Sequence, residues 1–300
     1  MAAESAPEGA ISLGTTDNGP VTTAFVLGGG GVLGAVEVGM LRALFERGIV
    51  PDLVLGTSVG ALNGAMVARD PSPAVIDRLT DLWRGASRSG QEVYGDRTLR
   101  TVRRAVSTGT HIYSAKPLKK RLAEEFGDVT FEELPVRFQV CAACIERSAE
   151  HWFDSGPVVD AVVASAAVPG LLPPAKVGDE HFLDGGIVNS VPVGRAVHLG
   201  ATRIFVLQVG RVDRPLNVPR RPWEVARVSF EIARRHRFVR EMAELPDGVE
   251  AHVLPARGTS NRDDTLLGSR DFGSVQKRID ATYDASVAYL EEHLPTPDPR

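Results

Sequence analysis

The chain has 300 residues, with 34 basic against 38 acidic side chains, a formal net charge of -4 and 43% hydrophobic residues. That length and apolar content fit one large α/β domain or two small ones with a sizeable core, and the mild negative charge does not favour nonspecific nucleic-acid binding. Every long apolar stretch is broken by Gly, Pro or charge well short of the roughly 20 residues a membrane-spanning helix needs.

Residues 1–20 are rich in Ala, Gly, Ser and Glu and read as disordered. They carry Glu4, Glu8 and Asp17 and no basic residue, which matches neither a secretory n-region nor a mitochondrial presequence. The expected location is cytoplasmic. The folded domain spans residues 21–294, and the proline-rich tail 295–300 is expected to fray. Val21 to Leu27 reads as a fully buried strand that runs into Gly28-Gly29-Gly30-Gly31-Val32-Leu33-Gly34. Val32, Val36, Met40 and Leu44 then recur at helical spacing up to Gly48, a C-cap. The short strand Leu53-Val54-Leu55 leads into Gly56-Thr57-Ser58-Val59-Gly60. The helix after it carries Gly60, Ala61, Gly64, Ala65 and Ala68, small residues that allow close packing, and ends before Pro71.

Ser87 to Phe131 is polar and basic and reads as helices and loops at the edge of a site. Further on, a strand is expected at Val136–Ile145, a helix at Pro157–Ser165, a strand at Ile204–Val209 and a helix at Val275–His293. This alternation predicts a three-layer α/β/α fold around a central, mainly parallel sheet. The two cysteines, Cys141 and Cys144, fall inside an expected strand. A zinc site needs about four ligands, so they read as buried structural thiols and no metal site is expected.

Gly56-Thr57-Ser58-Val59-Gly60 places a serine on a sharp strand-to-helix turn, where Gly56 and Gly60 avoid collisions with neighbouring backbone. The start of the next helix adds partial positive charge beside its hydroxyl. The glycine loop also satisfies G-x-G-x-x-G at Gly29, Gly31 and Gly34, but a dinucleotide site wants an acidic residue at the end of the second strand, and that strand ends in Ser58. The amides of Gly29, Gly30 and Gly31 read instead as an oxyanion hole. Phe182-Leu183-Asp184-Gly185-Gly186 puts a carboxylate at a strand end, where it is either a general base or a turn cap. His198, His236, His252 and His293 follow Asp184, so a Ser, Asp, His order is available, although none has a strand-end or glycine-flanked setting.

The glycine loop, Gly56-Thr57-Ser58-Val59-Gly60, Ala164-Ser165-Ala166-Ala167-Val168-Pro169-Gly170 and Asp184-Gly185-Gly186 resemble, in order and spacing, the motifs of patatin-like phospholipases. The resemblance covers about Val21 to Val209. It implies a Ser58–Asp184 dyad, an oxyanion hole from the glycine loop with Gly34 in support, and a supporting role for Ser165. It further implies cleavage of lipid acyl esters through an acyl-enzyme, with no cofactor. Acyl transfer to another acceptor, or lipid binding without turnover, are the competing outcomes. Leu33 stands where the family's loops carry Arg or Lys, which removes a cation that would contact phosphate.

Between Arg211 and Met242 nine arginines face four acids. Pro222–Leu245 reads as a helix whose stripe of Val225, Val228, Ile232, Val239 and Met242 is expected to pack on the domain. Its other face, with Trp223, Phe230, Arg227, Arg234 and Arg237, suits either an ordinary charged surface or peripheral contact with an anionic bilayer.

Overall fold

The computed structural model describes residues 22–30, 33–94, 111, 113–209, 215–256 and 275–295. The segment 1–20, Gly31, Val32 and all of the expected frayed tail except Pro295 lie outside the described residues, as do the side chains of Trp223 and Arg227.

β1 (Thr23–Leu27) sits at the centre of one sheet. It pairs in parallel with β2 (Leu53–Thr57) on one side and β7 (Arg203–Leu207) on the other. β3 (Arg137–Cys144) extends the parallel array beyond β2, and β8 (Glu250–Val253) beyond β7. An antiparallel wing of β4 (Ala149–Phe153), β6 (Glu180–Asp184) and β5 (Ala175–Val177) builds outward from the second half of β3.

Both faces of the central strands are apolar, because in a strand successive side chains point to opposite sides. Phe25, Leu27, Val54, Phe205 and Leu207 pack with α1 (Ala35–Glu46), α2 (Val59–Arg69), α3 (Ala74–Tyr94), α4 (Lys116–Phe126), α5 (Val158–Ser165) and α8 (Val275–His293). Ala24, Val26, Leu53, Leu55, Ile204 and Val206 face the opposite layer, where α6 (Val193–His198) and α7 (Pro222–Ala243) supply Val193, Ala196 and Phe238. The three-layer architecture with a mainly parallel sheet is therefore present. α1 stops where expected: Gly48 adopts φ +69, and its amide and that of Ile49 bond the carbonyls of Phe45 and Leu44. Within 87–131, α3 continues to Tyr94 and α4 packs on α5, while residues 95–110 lie outside the described set.

α7 packs on the domain through only part of the stripe its sequence predicts: Val228 is buried and Met242 packs against the core, but the helix is rotated from the expected orientation. Val225, Ile232 and Val239 are exposed, whereas Arg234 and Phe238 are buried. The reason lies in ion pairs and hydrogen bonds that apolar periodicity does not see. Arg237 donates to the Val188 carbonyl at 2.6 Å and to Glu150 at 3.0 Å, and Glu241 accepts the Gly194 amide at 2.8 Å. No helix of the described residues is long and apolar enough to cross a membrane.

Candidate active site

Strand register brings the two central side chains together. Thr57, the last residue of β2, pairs with Cys141 of β3, and Asp184, the last of β6, pairs with the next residue, Ala142. Ser58 and Asp184 thus leave the sheet side by side although 126 positions separate them. Ser58 Oγ donates to Asp184 Oδ2 at 2.6 Å, and both residues are buried. Asp184 is both things its sequence setting allows, since its Oδ1 accepts the Gly186 amide at 2.7 Å and caps the 3₁₀ turn Gly185–Ile187.

Ser58 has φ 56 and ψ -120. A non-glycine residue in this region costs on the order of 1–3 kcal/mol and persists only when its surroundings hold it there. Here the Ser58 amide donates to Ser165 Oγ at 2.7 Å, and that hydroxyl donates onward to the Cys141 carbonyl at 2.6 Å. Thr57 Oγ1 adds a bond to the Asn189 carbonyl at 2.9 Å. Ser165, expected only as supportive, therefore fixes the strained turn through its backbone. A Cβ at Gly60 would fall on the Leu27 carbonyl, and one at Gly56 would stand 2.6 Å from the Ala61 Cα, so neither position admits a side chain without moving backbone. Gly185 likewise lies against the Cys141 carbonyl, and Gly34 against Val59 and the Trp83 ring.

The Asp184 carboxyl is pushed up to about 6 by burial, against which the Ser58 and Gly186 hydrogen bonds work. Direct contact between hydroxyl and carboxyl leaves no place for an imidazole. His252 stacks on Phe205 and His293 on Tyr289 instead, His198 ends α6, and His236 is exposed on α7. Cys141 and Cys144 are both buried and unpaired with each other. Among the described residues no group of three or more His, Cys, Asp or Glu side chains is placed to hold a metal ion.

The glycine loop differs in detail from its expected use. Gly28 continues the pairing of β1 with β7 by donating to the Leu207 carbonyl at 2.9 Å, and Gly29 donates its amide to the Ser190 carbonyl at 3.0 Å. Its amide is thus engaged structurally and is not one of the oxyanion donors assigned from the sequence. A Cβ there would stand 3.2 Å from Ser190 Oγ and in ordinary contact, at 3.4 Å, with Ser58 Cβ. Gly31 lies outside the described residues. The Gly30 amide has no acceptor among the described residues, and the same holds for Val59, the first residue of α2, where a helix leaves its first amides unpaired. Sequence reading passed over Val59, although the residue after a nucleophile is a known amide donor in strand–turn–helix sites. Leu33 is buried and so fills core where a loop cation would stand.

Behind the loop is a polar network that the sequence did not announce. Glu37 in α1 is fully buried, and Asn63 of α2 donates one Nδ2 hydrogen to Glu37 Oε2 at 2.7 Å and the other to the Gly34 carbonyl at 3.0 Å. Trp83 of α3 donates to Asn63 Oδ1 at 3.1 Å. Burial pushes the Glu37 carboxyl well above the ordinary range, outweighing the Asn63 hydrogen bond that works against it. Its Oε1 has no partner. The network ties the start of α1, hence the end of the loop, to the helix that begins at Ser58. Glu37→Gln is expected to keep the melting temperature at pH 7 within a few degrees, because the neutral amide still accepts from Asn63. Glu37→Ala strands the Asn63 donor and is expected to cost about 1–3 kcal/mol in chemical denaturation. Equal stability of the two variants would refute this account.

A serine on a strained strand-to-helix turn, bonded directly to a buried carboxylate at the edge of a mainly parallel sheet, defines an α/β protein with a serine–aspartate pair. The chain belongs to the patatin-like phospholipase family, whose model matches residues 25–197, more than half of its length. It is 34% identical over 200 residues to lysophospholipase nte1 of Aspergillus terreus, covering 64% of this chain and 12% of that protein. It is also 32% identical over 190 residues to neuropathy target esterase sws of Drosophila melanogaster, covering 63% and 13%. The chain thus spans about an eighth of the length of these relatives. Among solved structures, VipD from Legionella pneumophila aligns with a TM-score of 0.46 at 14% identity, covering 91% of this chain and 67% of that one.

Proposed function

We propose that the protein is a serine hydrolase of lipid acyl esters that works through Ser58 and Asp184. The single observation that carries the reading is the 2.6 Å hydrogen bond from the Ser58 hydroxyl to a buried carboxylate with no imidazole between them. Ser58 Oγ attacks the ester carbonyl carbon while its proton passes to Asp184 Oδ2. The oxyanion is met by the amides of Gly30 and Val59, which have no acceptor among the described residues, and by the positive end of α2. Asp184 then returns the proton to the departing alkoxide, leaving Ser58 acylated. In the second half Asp184 takes a proton from water, whose oxygen attacks the acyl carbon, and the proton returns to Ser58 as the fatty acid leaves.

A buried carboxyl at about 6 is a better base at neutral pH than an ordinary one and is still largely ionised there. Glycerolipids and lysolipids are the expected substrates, with the chain acting in the cytoplasm, where unpaired thiols such as Cys141 and Cys144 are stable. The test is release of fatty acid from lysophosphatidylcholine by wild type and by Ser58→Ala, with added alcohols as competing acceptors. Free fatty acid as the main product of wild type only is the expected result. Equal release by both proteins overturns the reading, and acyl transfer exceeding hydrolysis at low alcohol would reassign it as a transferase.

A further inference from the structure

The two amides assigned to the oxyanion stand on different pieces of the chain, Gly30 on the glycine loop and Val59 at the start of α2. Both must aim at one point, and a misplacement of about 1 Å can cost about 10²-fold in rate. Whatever fixes one piece against the other is therefore part of the reaction. The pieces meet at Gly34. A Cβ there would fall on Val59 Cγ2 and on the Trp83 ring, so the end of the loop lies directly against the first residue of α2. The Leu33 amide bonds the Gly30 carbonyl at 3.3 Å and closes the turn that leads from Gly30 to Gly34.

Asn63 crosses this junction. It lies one turn beyond Val59 on the same face of α2, is fully buried, and donates to the Gly34 carbonyl at 3.0 Å. That carbonyl already accepts the Glu37 amide at 3.1 Å, so the Asn63 bond is not needed to satisfy it. Which way the Asn63 amide faces is set by its neighbours. An indole N–H only donates, so the 3.1 Å bond from Trp83 fixes the place of Asn63 Oδ1 and turns the NH₂ group to Gly34 and, at 2.7 Å, to Glu37 Oε2. Side chains from α1 and α3 thus orient one amide on α2.

Stability alone gives little reason for this arrangement. Asn is a poor residue for a helix interior, and a buried polar pair replaced on both sides by apolar groups of the same shape can be nearly neutral. What the hydrogen bonds add is direction, which apolar packing lacks. We propose that Asn63 is a positioning residue for ester cleavage: through Gly34 it holds the glycine loop at the distance from α2 at which the Gly30 and Val59 amides meet one oxyanion. The role rests on the serine hydrolase reading above.

The test compares wild type with Asn63→Leu on a nitrophenyl ester and on a trifluoromethyl ketone that carries the same acyl chain. Ser58 Oγ adds to the ketone carbon as its proton passes to Asp184, and the carbonyl oxygen becomes an oxyanion where that of the ester would form. In Asn63→Leu kcat is expected to fall about 10–100-fold with KM within about twofold, and the Ki of the ketone to rise by the factor that kcat loses. Loss of folded protein lowers kcat through the active fraction and leaves Ki unchanged, so Ki separates positioning from a merely structural role. Trp83→Phe keeps an aromatic ring on α3 and removes only the bond that sets the facing of the amide. It is expected to weaken ketone binding severalfold and decides the matter alone if Asn63→Leu does not fold. A wild-type Ki in the folded variants, or a raised KM with kcat unchanged, overturns the role and leaves the hydrolase reading intact. A wild type that neither hydrolyses the ester nor takes up a fluorophosphonate probe sinks that reading and this role with it.

Discussion

Ser58→Ala is expected to lower ester hydrolysis by at least about 10³-fold and to abolish labelling by a fluorophosphonate probe, with Asp184→Asn falling by a comparable factor. The comparison between them is the informative part. Where a hydroxyl and a carboxylate act as one unit, removing the second after the first costs little more, so the double variant should match Ser58→Ala. Additive losses would mean that each residue acts alone. Asp184→Asn keeps the shape of the turn, because an amide oxygen still accepts from Gly186 and its NH₂ faces Ser58 Oγ. A lost base and a collapsed turn are therefore distinguishable by melting temperature. If Asp184→Asn retained more than about a tenth of wild-type activity, the general base would have to be sought elsewhere, and the dyad would be a structural pair.

Most of the frame that presents this pair was legible in the sequence, because its signals are local. Apolar runs bounded by glycine marked β1, β2 and β7, and the small-residue pattern after Ser58 marked α2. The conjunction of Ser58 with Asp184 was carried by the order of four motifs rather than by any pattern of burial. The register at Cys141 and Ala142 of β3 is what makes it physical. What was not legible depends on pairing across the fold. Nothing in the glycine run reveals that Gly29 gives its amide to Ser190 while that of Gly30 has no acceptor among the described residues. Nothing local to Glu37 announces that α2 and α3 close over it and leave it fully buried. α7 was read from its valines, yet buried ion pairs and the contacts of Arg237 with Val188 and Glu150 decide its orientation, and these are long-range. Apolar periodicity predicts the inward face only when no polar network on the other face has partners waiting.

The same burial that makes Asp184 a base makes it a weak point of the fold, and this sets the second large expected effect. Its folded value of about 6 lies above the ordinary 3.8. Between those values the native protein holds a proton that the unfolded chain has released, so the contribution of this group to stability falls as pH rises and levels off above about 6. A shift of about two units corresponds to about 3 kcal/mol. Asp184→Asn carries no such charge, so it is expected to be more stable than wild type by up to about 3 kcal/mol at pH 7–8, an advantage that shrinks to near zero by about pH 4. Glu37, also raised, is present in both proteins and cancels in the difference. Activity has the reverse profile: kcat/KM should fall about tenfold per unit as pH drops below about 6, where the base becomes protonated. Denaturant melts of the two proteins across pH 4–8, set beside the wild-type rate profile, read one titration in two ways. A stability difference that does not change with pH, or a rate that holds steady down to pH 4, would show that the carboxylate beside Ser58 is not the group in control.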